Sequence, residues 1–414
     1  AWMTVALLKY YERNQQKSQT KFMKTGYSIR TWRMRLVCPE PIWLDRTEEY
    51  FQNVVEFYYH LLRQHEELWN SSLFDIQRSL ELMTLTGRDG RQPTNPLPMG
   101  KVPVYLRRAA INKASATVKS TQELQSGFPE KLEAKVTFFK GMYSDLTDRS
   151  ICLKLWNGEK WIWTDCELKG RPFPQDGQLM SPTLVKEGRR YLLNIPVKQE
   201  NSDARTAKER MAEGTNLCSV RFTNTDTFAV CCILDEQGKQ LAVHTCRGGD
   251  AYRHRCKLLE TRIQKSRPNT VGDNSPQPNR KYYMHLKNLS EHYAHQVSRE
   301  ILNFCKENQA GIIVLPDYDQ NFTRMAMVKS GNFSPLHLSS KIRTNLQYKA
   351  WAEGILVLET RTDGLKDKCA ICGGKVRRKG NEFLCENGHQ GNRFLNDARN
   401  LGRKCQDSFF AEVE

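Results

Sequence analysis

Apolar residues along this chain recur with two different periods, and each change of period marks a boundary. Residues 29–37 read as a strand, with Trp32, Met34 and Leu36 among the basic residues Arg30, Arg33 and Arg35. From 48 to 83 the period lengthens: Phe51, Val54, Val55, Phe57, Leu61 and Leu62 recur at helical spacing. Residues 86–103, rich in Gly, Pro and Asn, mark a loop, and a basic stretch that reads as helix follows. From 135 to 198 short strands rich in Trp and Tyr return, at 151–156, 160–163 and 191–195. A strand, a helical insertion and a return to strands predict a β-barrel, 26–43 with 135–199, split by a helical domain at 44–134. Residues 1–25 are left as an N-terminal extension, and the polar stretch 200–215 is expected to be a linker.

The second half opens with apolar runs at 217–222, 227–234 and 241–243, the last two flanking the turn Asp235-Glu-Gln-Gly238, which predicts a hairpin. Leu286, Leu289, Tyr293, Val297, Ile301 and Phe304 trace one face of a long helix that Gly311 stops, and 312–315 follows as a buried strand. Residues 340–354 and 355–358 repeat the helix-then-strand scheme. This order fits a ribonuclease-H-like α/β domain over 216–364 and 392–414, although several other α/β folds share it. The fold class expected for the whole chain is α+β, with several domains.

Charge sharpens the picture. The 414 residues hold 63 Lys and Arg against 46 Asp and Glu, a net charge of +17. Such an excess suits a polyanion partner, nucleic acid first and anionic membrane second. No apolar run approaches the roughly 20 residues needed to span a bilayer, and the apolar start of the chain has its charge on the wrong side for a signal peptide. The expected location is the prokaryotic cytoplasm, on the nucleoid when DNA is bound. Most of the 13 cysteines sit singly in apolar stretches, as small buried hydrophobes do in a reducing compartment.

Three cysteines are different. Cys369-x2-Cys372 is followed by Cys385-x3-His389, a Cys3His set with the spacing of a tetrahedral zinc site at 365–391. Cys405 is an alternative fourth ligand. Between the pairs, Arg377, Arg378 and Lys379 form a basic tip that can touch phosphate or simply face solvent. Arg247, Arg253, Arg255, Lys257, Arg262 and Lys265 make a denser basic segment after the hairpin, read as a phosphate-contacting helix. Arg30, Arg33 and Arg35 are read as one basic strand face, against RNA. Trp156, Trp161 and Trp163 can stack on bases or fill the barrel core.

Seven residues beyond His389 stands Asn396-Asp397-Ala398-Arg399-Asn400. With the hairpin, the helix-to-strand segment 298–315, the segment 346–354 and the zinc-ligand set, it resembles the TnpB/OrfB proteins of insertion sequences and their relatives, the type V CRISPR effectors. The resemblance covers about 217–403, and the first half agrees only in outline. It implies RNA-guided DNA recognition: a guide RNA, a double-stranded DNA target that forms an RNA–DNA heteroduplex, a structural Zn2+, and a RuvC-like nuclease domain. A homodimer and a recruited transposition or transcription protein are further partners it would allow.

Family members that cut hold two divalent metals with three carboxylates. By the resemblance, those positions here are Arg221, Pro316 and Phe394. None can ligate Mg2+, and binding of Mg2+ is not expected there. In this respect the chain is similar to the transposon-associated type V-K effectors and to nuclease-dead TnpB-like repressors. It is therefore expected to bind without cutting, and so not to be an enzyme. Two other readings stay open at this level: a nuclease using Asp226, Asp317 and Asp397 as relocated ligands, and a zinc-ribbon protein that binds nucleic acid without a guide.

Overall fold

The structure is a computed structural model that describes residues 26–410 apart from 88, 125, 175, 176, 267–278 and 319–333. The expected extension at 1–25 lies outside the described residues. The chain divides into two units, Ile29–Gln199 and Glu200–Glu414, the second taking in the described residues before Ile29.

The first unit is built on β1 (Tyr27–Val37), β2 (Tyr143–Ser144), β3 (Ser150–Trp156), β4 (Trp161–Lys169), β5 (Gln178–Leu179), β6 (Thr183–Glu187) and β7 (Arg190–Glu200). They form one seven-stranded sheet in the order β2-β3-β4-β1-β7-β5, with β6 also paired to β7. The sheet curls into a half-barrel, and the segment leading into β2 bridges to β6 through Thr137 and Thr183 and to β2 through Lys140 and Tyr143. Three helices interrupt it between β1 and β2: α1 (Pro41–Gln64), α2 (Leu73–Thr84) and α3 (Val104–Glu123). Pro41 suits the first turn of α1, where its missing N–H costs nothing. The buried stripe of that helix includes Phe51, Val54, Val55, Tyr58 and Leu62. Thr47 ties the helix to the sheet: its hydroxyl accepts from Trp156 N at 2.8 Å and donates to Trp43 O at 2.6 Å.

In the second unit the stretch expected to be a linker is ordered. It holds α4 (Ala207–Ala212), capped by a reciprocal Thr206–Glu209 box. After it come β8 (Leu217–Phe222), β9 (Thr227–Leu234), β10 (Gln240–Arg247), α5 (Gly249–Lys265), α6 (Arg280–Glu307), β11 (Ile312–Asp317), α7 (Ser339–Trp351), β12 (Leu356–Arg361) and α8 (Arg393–Phe410). The five strands lie in the order β10-β9-β8-β11-β12. The first three run antiparallel, while β11 is parallel to β8 and to β12. This mixed sheet is consistent with a RuvC-like domain.

Both faces of the sheet are covered, which is why most of β9 and β11 reads as an apolar run, while β8 carries Ser219 and Arg221 on one face. One face carries Cys218, Val220, Cys231 and Ile313 against Tyr252 of α5, Val297 and Ile301 of α6, and Leu346 of α7. The other packs Leu217, Leu234, Ile312 and Val314 against Met211 of α4 and Ala398, Leu401 and Cys405 of α8. Gly402 lets α8 approach: a Cβ there would stand 2.5 Å from Leu234 Cδ1 and 3.0 Å from Leu217 Cδ1.

Arg210 explains why α4 is part of this unit. It is fully buried, and its guanidinium donates to the carbonyls of Gly311 (2.7 Å), Gly354 (2.6 Å), Asp203 (2.7 Å) and Arg205 (3.2 Å). Asp203 Oδ2, 3.3 Å away, supplies the countercharge. The Asp203 carboxyl is itself held down at about 2, first by hydrogen bonding to Arg205. Truncating a buried, fully bonded charge strands its partners. Arg210→Ala is accordingly expected to destabilise this unit by about 3–5 kcal/mol, and thermal unfolding by circular dichroism with an unchanged melting temperature would contradict that account.

Candidate functional site

Near the strand ends where the resemblance expects a metal pair, side chains from three remote segments meet in an ion network. Arg221, near the C-terminal end of β8, lies 3.3 Å through Nε from Asp397 Oδ2 on α8. Its Nη1 donates to Tyr318 Oη at 2.6 Å, just past β11. Asp397 is only 2% exposed, and Arg378 of the C-terminal segment closes on its other oxygen. A carboxylate this deeply buried needs such partners to stay ionised. Pro316 is buried in β11, and its carbonyl lies 3.5 Å from Arg343 Nη2 of α7. Phe394 is buried at the start of α8, with the Arg393 guanidinium 4.6 Å from its ring centroid.

Other carboxylates nearby are engaged as well. Asp226 accepts from Asp250 N at 3.0 Å, tying the β8–β9 turn to the first turn of α5. Glu359 of β12, which the sequence reading passed over, pairs with Arg343 at 3.4 Å. Its carboxyl is pushed up, chiefly by burial. Asp317 closes β11 beside it. Among the described residues, two groups of His, Cys, Asp or Glu bring three or more ligand atoms within 4.8 Å, and neither contains Asp226, Asp317, Glu359 or Asp397.

One of those groups is Cys369, Cys372, Cys385 and His389. It sits on a three-stranded sheet of β13 (Val376–Lys379), β14 (Glu382–Cys385) and β15 (Gln390–Asn392). Cys372 Sγ and Cys385 Sγ are 3.8 Å apart, and Cys385 Sγ and His389 Nδ1 3.4 Å. A zinc tetrahedron with Zn–S near 2.3 Å and Zn–N near 2.0 Å has edges of about 3.8 and 3.5 Å, so the four donors fit the ion. Gly373, just after the first pair, and Gly388, inside the second, are both at positive φ and turn the chain there. N–H groups of Ile371 and His389 point at Cys369 and Cys385 sulfurs. The Asn387 amide donating to Cys372 Sγ holds that thiol down at about 6, toward the ligating thiolate. Cys405, the alternative ligand, is buried instead in the core under α8, its thiol pushed up to about 11 by burial.

The Asn-x-Ala-Arg-Asn stretch now has a physical role. Asn396 and Asn400, one turn apart on α8, grip the chain leading into the Cys/His cluster. Asn396 accepts from Ala370 N at 2.8 Å and donates to Lys368 O at 2.9 Å, and Asn400 donates to Leu365 O and Lys368 O. Ala398 faces the sheet, and Arg399 reaches Gln240 Oε1 at 2.6 Å.

Basic residues assort by parity and helix face. On β1, Arg33 and Arg35 are exposed on one side, but Arg30 has the parity of Trp32 and Met34 and belongs to the other, so the expected single basic face holds two arginines. Arg33 pairs with Glu187, and Arg35 lies opposite the exposed Lys169. On β13, Arg377 and Lys379 are exposed while Arg378 turns inward to Asp397. On α5, Arg255, Arg262 and Lys265 share one exposed side, whereas Arg253 and Lys257 flank the other, with Arg253 on Asp250 at 3.1 Å. Arg247 is exposed at the end of β10. Arg255 and Arg262 also line a cleft of about 440 Å3 with His285 and Asn288 of α6.

Aromatic residues of the first unit divide too. Trp156 and Trp161 cluster with Tyr50, ring centroids 5.0 and 5.3 Å from the tyrosine. Trp163 is exposed beside Lys154.

The Aq_aa04 family matches residues 28–157. No curated protein matches the chain. Among solved structures, Cas12f1 from a Cas12f1–sgRNA–target DNA complex is similar with a TM-score of 0.51 at 12% identity, over 91% of this chain and 99% of that one. The mini-RNA-guided endonuclease CRISPR-Cas_phi3 is similar with a TM-score of 0.52 at 10% identity, over 95% and 97% of the two chains. At such identities the likeness is one of fold, and the fold is that of type V CRISPR effectors.

Two outcomes test this geometry. Asp397→Ala leaves Arg221 and Arg378 facing each other without their carboxylate and is expected to cost about 3–5 kcal/mol. Arg377→Ala, on the exposed side of the same strand as Arg378, should cost under about 0.5 kcal/mol. Equal melting temperatures for the two variants would refute the network. Treating the zinc-loaded protein with a chelator should speed amide exchange across 369–392 while β8, β9 and β11 stay protected; exchange rising evenly along the chain would contradict a local metal site.

Proposed function

We propose that the chain is an RNA-guided DNA-binding protein whose RuvC-like pocket does not cut. It would act by occupying its target, either blocking transcription or recruiting a partner machinery. The observation that carries this reading is the Arg221–Asp397–Arg378 network. Where two Mg2+ ions would need a pocket of free anionic oxygens, two guanidinium groups neutralise one buried carboxylate. The engagement of Asp226 and Glu359 elsewhere supports it further, since relocated ligands would have to abandon a backbone N–H and an arginine.

A fold shared with effectors solved on sgRNA and target DNA supports the guided half of the proposal, as does the net charge of +17. Base pairing would read the target, and Arg35, Arg255, Arg262, Lys265 and Arg377 would supply screened contacts to phosphate. The Cys369–Cys372–Cys385–His389 set would hold a structural Zn2+ and so shape the surface that carries Arg377 and Lys379.

The test is to sequence the RNA that copurifies with the chain, then incubate protein and RNA with matched DNA in Mg2+. Binding that requires the RNA, with both DNA strands left intact, is the expected result. Guide-dependent cleavage abolished by Asp317→Ala would replace this reading with an active nuclease. Binding indifferent to RNA would replace it with an unguided zinc-ribbon protein.

A further inference from the structure

A second constellation of metal-type ligands lies on the other face of the sheet, away from the Cys/His cluster. His244 and Cys246 alternate on β10, so both side chains project on one side of that strand. Strand β10 is an edge of the five-stranded sheet. Glu300, on α6, meets them there: His244 Nε2 and Glu300 Oε1 are 2.6 Å apart, with the Cys246 thiol beside them. One atom from each of His244, Cys246 and Glu300 falls within 4.8 Å of the others. Cys246 is fully buried, whereas the side chains of His244 and Glu300 are 35% and 32% exposed.

We infer that His244, Cys246 and Glu300 form a second metal site, for a borderline divalent ion of the zinc type. The donor set decides the class of ion. One thiolate, one imidazole and one carboxylate match the sulfur, nitrogen and oxygen preferences of Zn2+ and are too soft for Mg2+ or Ca2+. Three protein ligands with a solvent-facing side leave the fourth position for water. A plain His–Glu ion pair would account for two of the groups but not for a buried thiol whose sulfur lies within 4.8 Å of both.

Zinc-site edges between such donors are about 3.3–3.8 Å. The 2.6 Å His244–Glu300 contact must therefore widen as the ion enters, which the exposed Glu300 side chain can do by rotating. The ion would then crosslink edge strand β10 to α6, holding the rim of the sheet as the Cys/His cluster holds the C-terminal segment. Behind it, Cys231, Cys218 and Cys305 are buried in the same core between sheet and helix.

The test is titration of the full metal-free chain with Co2+ under reducing conditions, read by visible absorption and by bound-metal analysis after desalting. Two equivalents are expected for the wild type. His244→Gln should leave one, Glu300→Gln should weaken the second site on the order of 10- to 100-fold, and Cys372→Ser should spare it. Both His244 and Glu300 are partly exposed, so these variants test the site even if Cys246→Ser fails to fold. Two equivalents retained in His244→Gln would overturn the proposal, as would a single wild-type equivalent removed by Cys372→Ser. A single equivalent removed by His244→Gln would instead uphold this site and count against the Cys/His cluster.

Discussion

A carboxylate shut between two arginines governs this structure more than any other contact. Asp397 comes from α8, Arg221 from the central strand β8 and Arg378 from the small C-terminal sheet, so three segments distant in sequence meet on one charge. Burial makes the carboxylate depend on its partners: Asp397 is 2% exposed, so the two arginines, and not water, supply its countercharge. The same geometry sets the local chemistry. Arg221 spends its remaining capacity on Tyr318, and burial keeps that phenol protonated.

Much of the fold is legible in the sequence because burial on two faces leaves a distinct signature. Strands β9 and β11 are largely apolar runs, and the long amphipathic stripe of α6 falls where its periodicity places it. The zinc-type ligands are legible for a related reason: close pairs at short spacing need only local turns to converge. Pairing between remote strands is different. How far the strands of the first unit curl round depends on twist accumulated over the whole sheet, which no window of residues encodes, and the sheet there is a half-barrel.

Side-chain partners were the other blind spot. Arg378 sits in a run of basic residues that looks like a solvent-facing tip, yet strand parity sends it inward. Arg30 was grouped with Arg33 and Arg35 although an even separation, not an odd one, shares a face. The polar stretch around Arg210 looks like a linker because four backbone carbonyls, invisible in a sequence, are what make a buried arginine tolerable. His244 and Cys246 did carry a signal, two metal-type residues at a separation of two on a strand, but their third partner lies 54 positions beyond Cys246.

Asn396 and Asn400 hold the small C-terminal sheet to α8 by hydrogen bonds alone, and neither touches the place where a nuclease would grip its metals. Their role is therefore architectural. Finding the same spacing in another sequence predicts how its C-terminal segment docks on the last helix, and is silent on whether that protein breaks DNA.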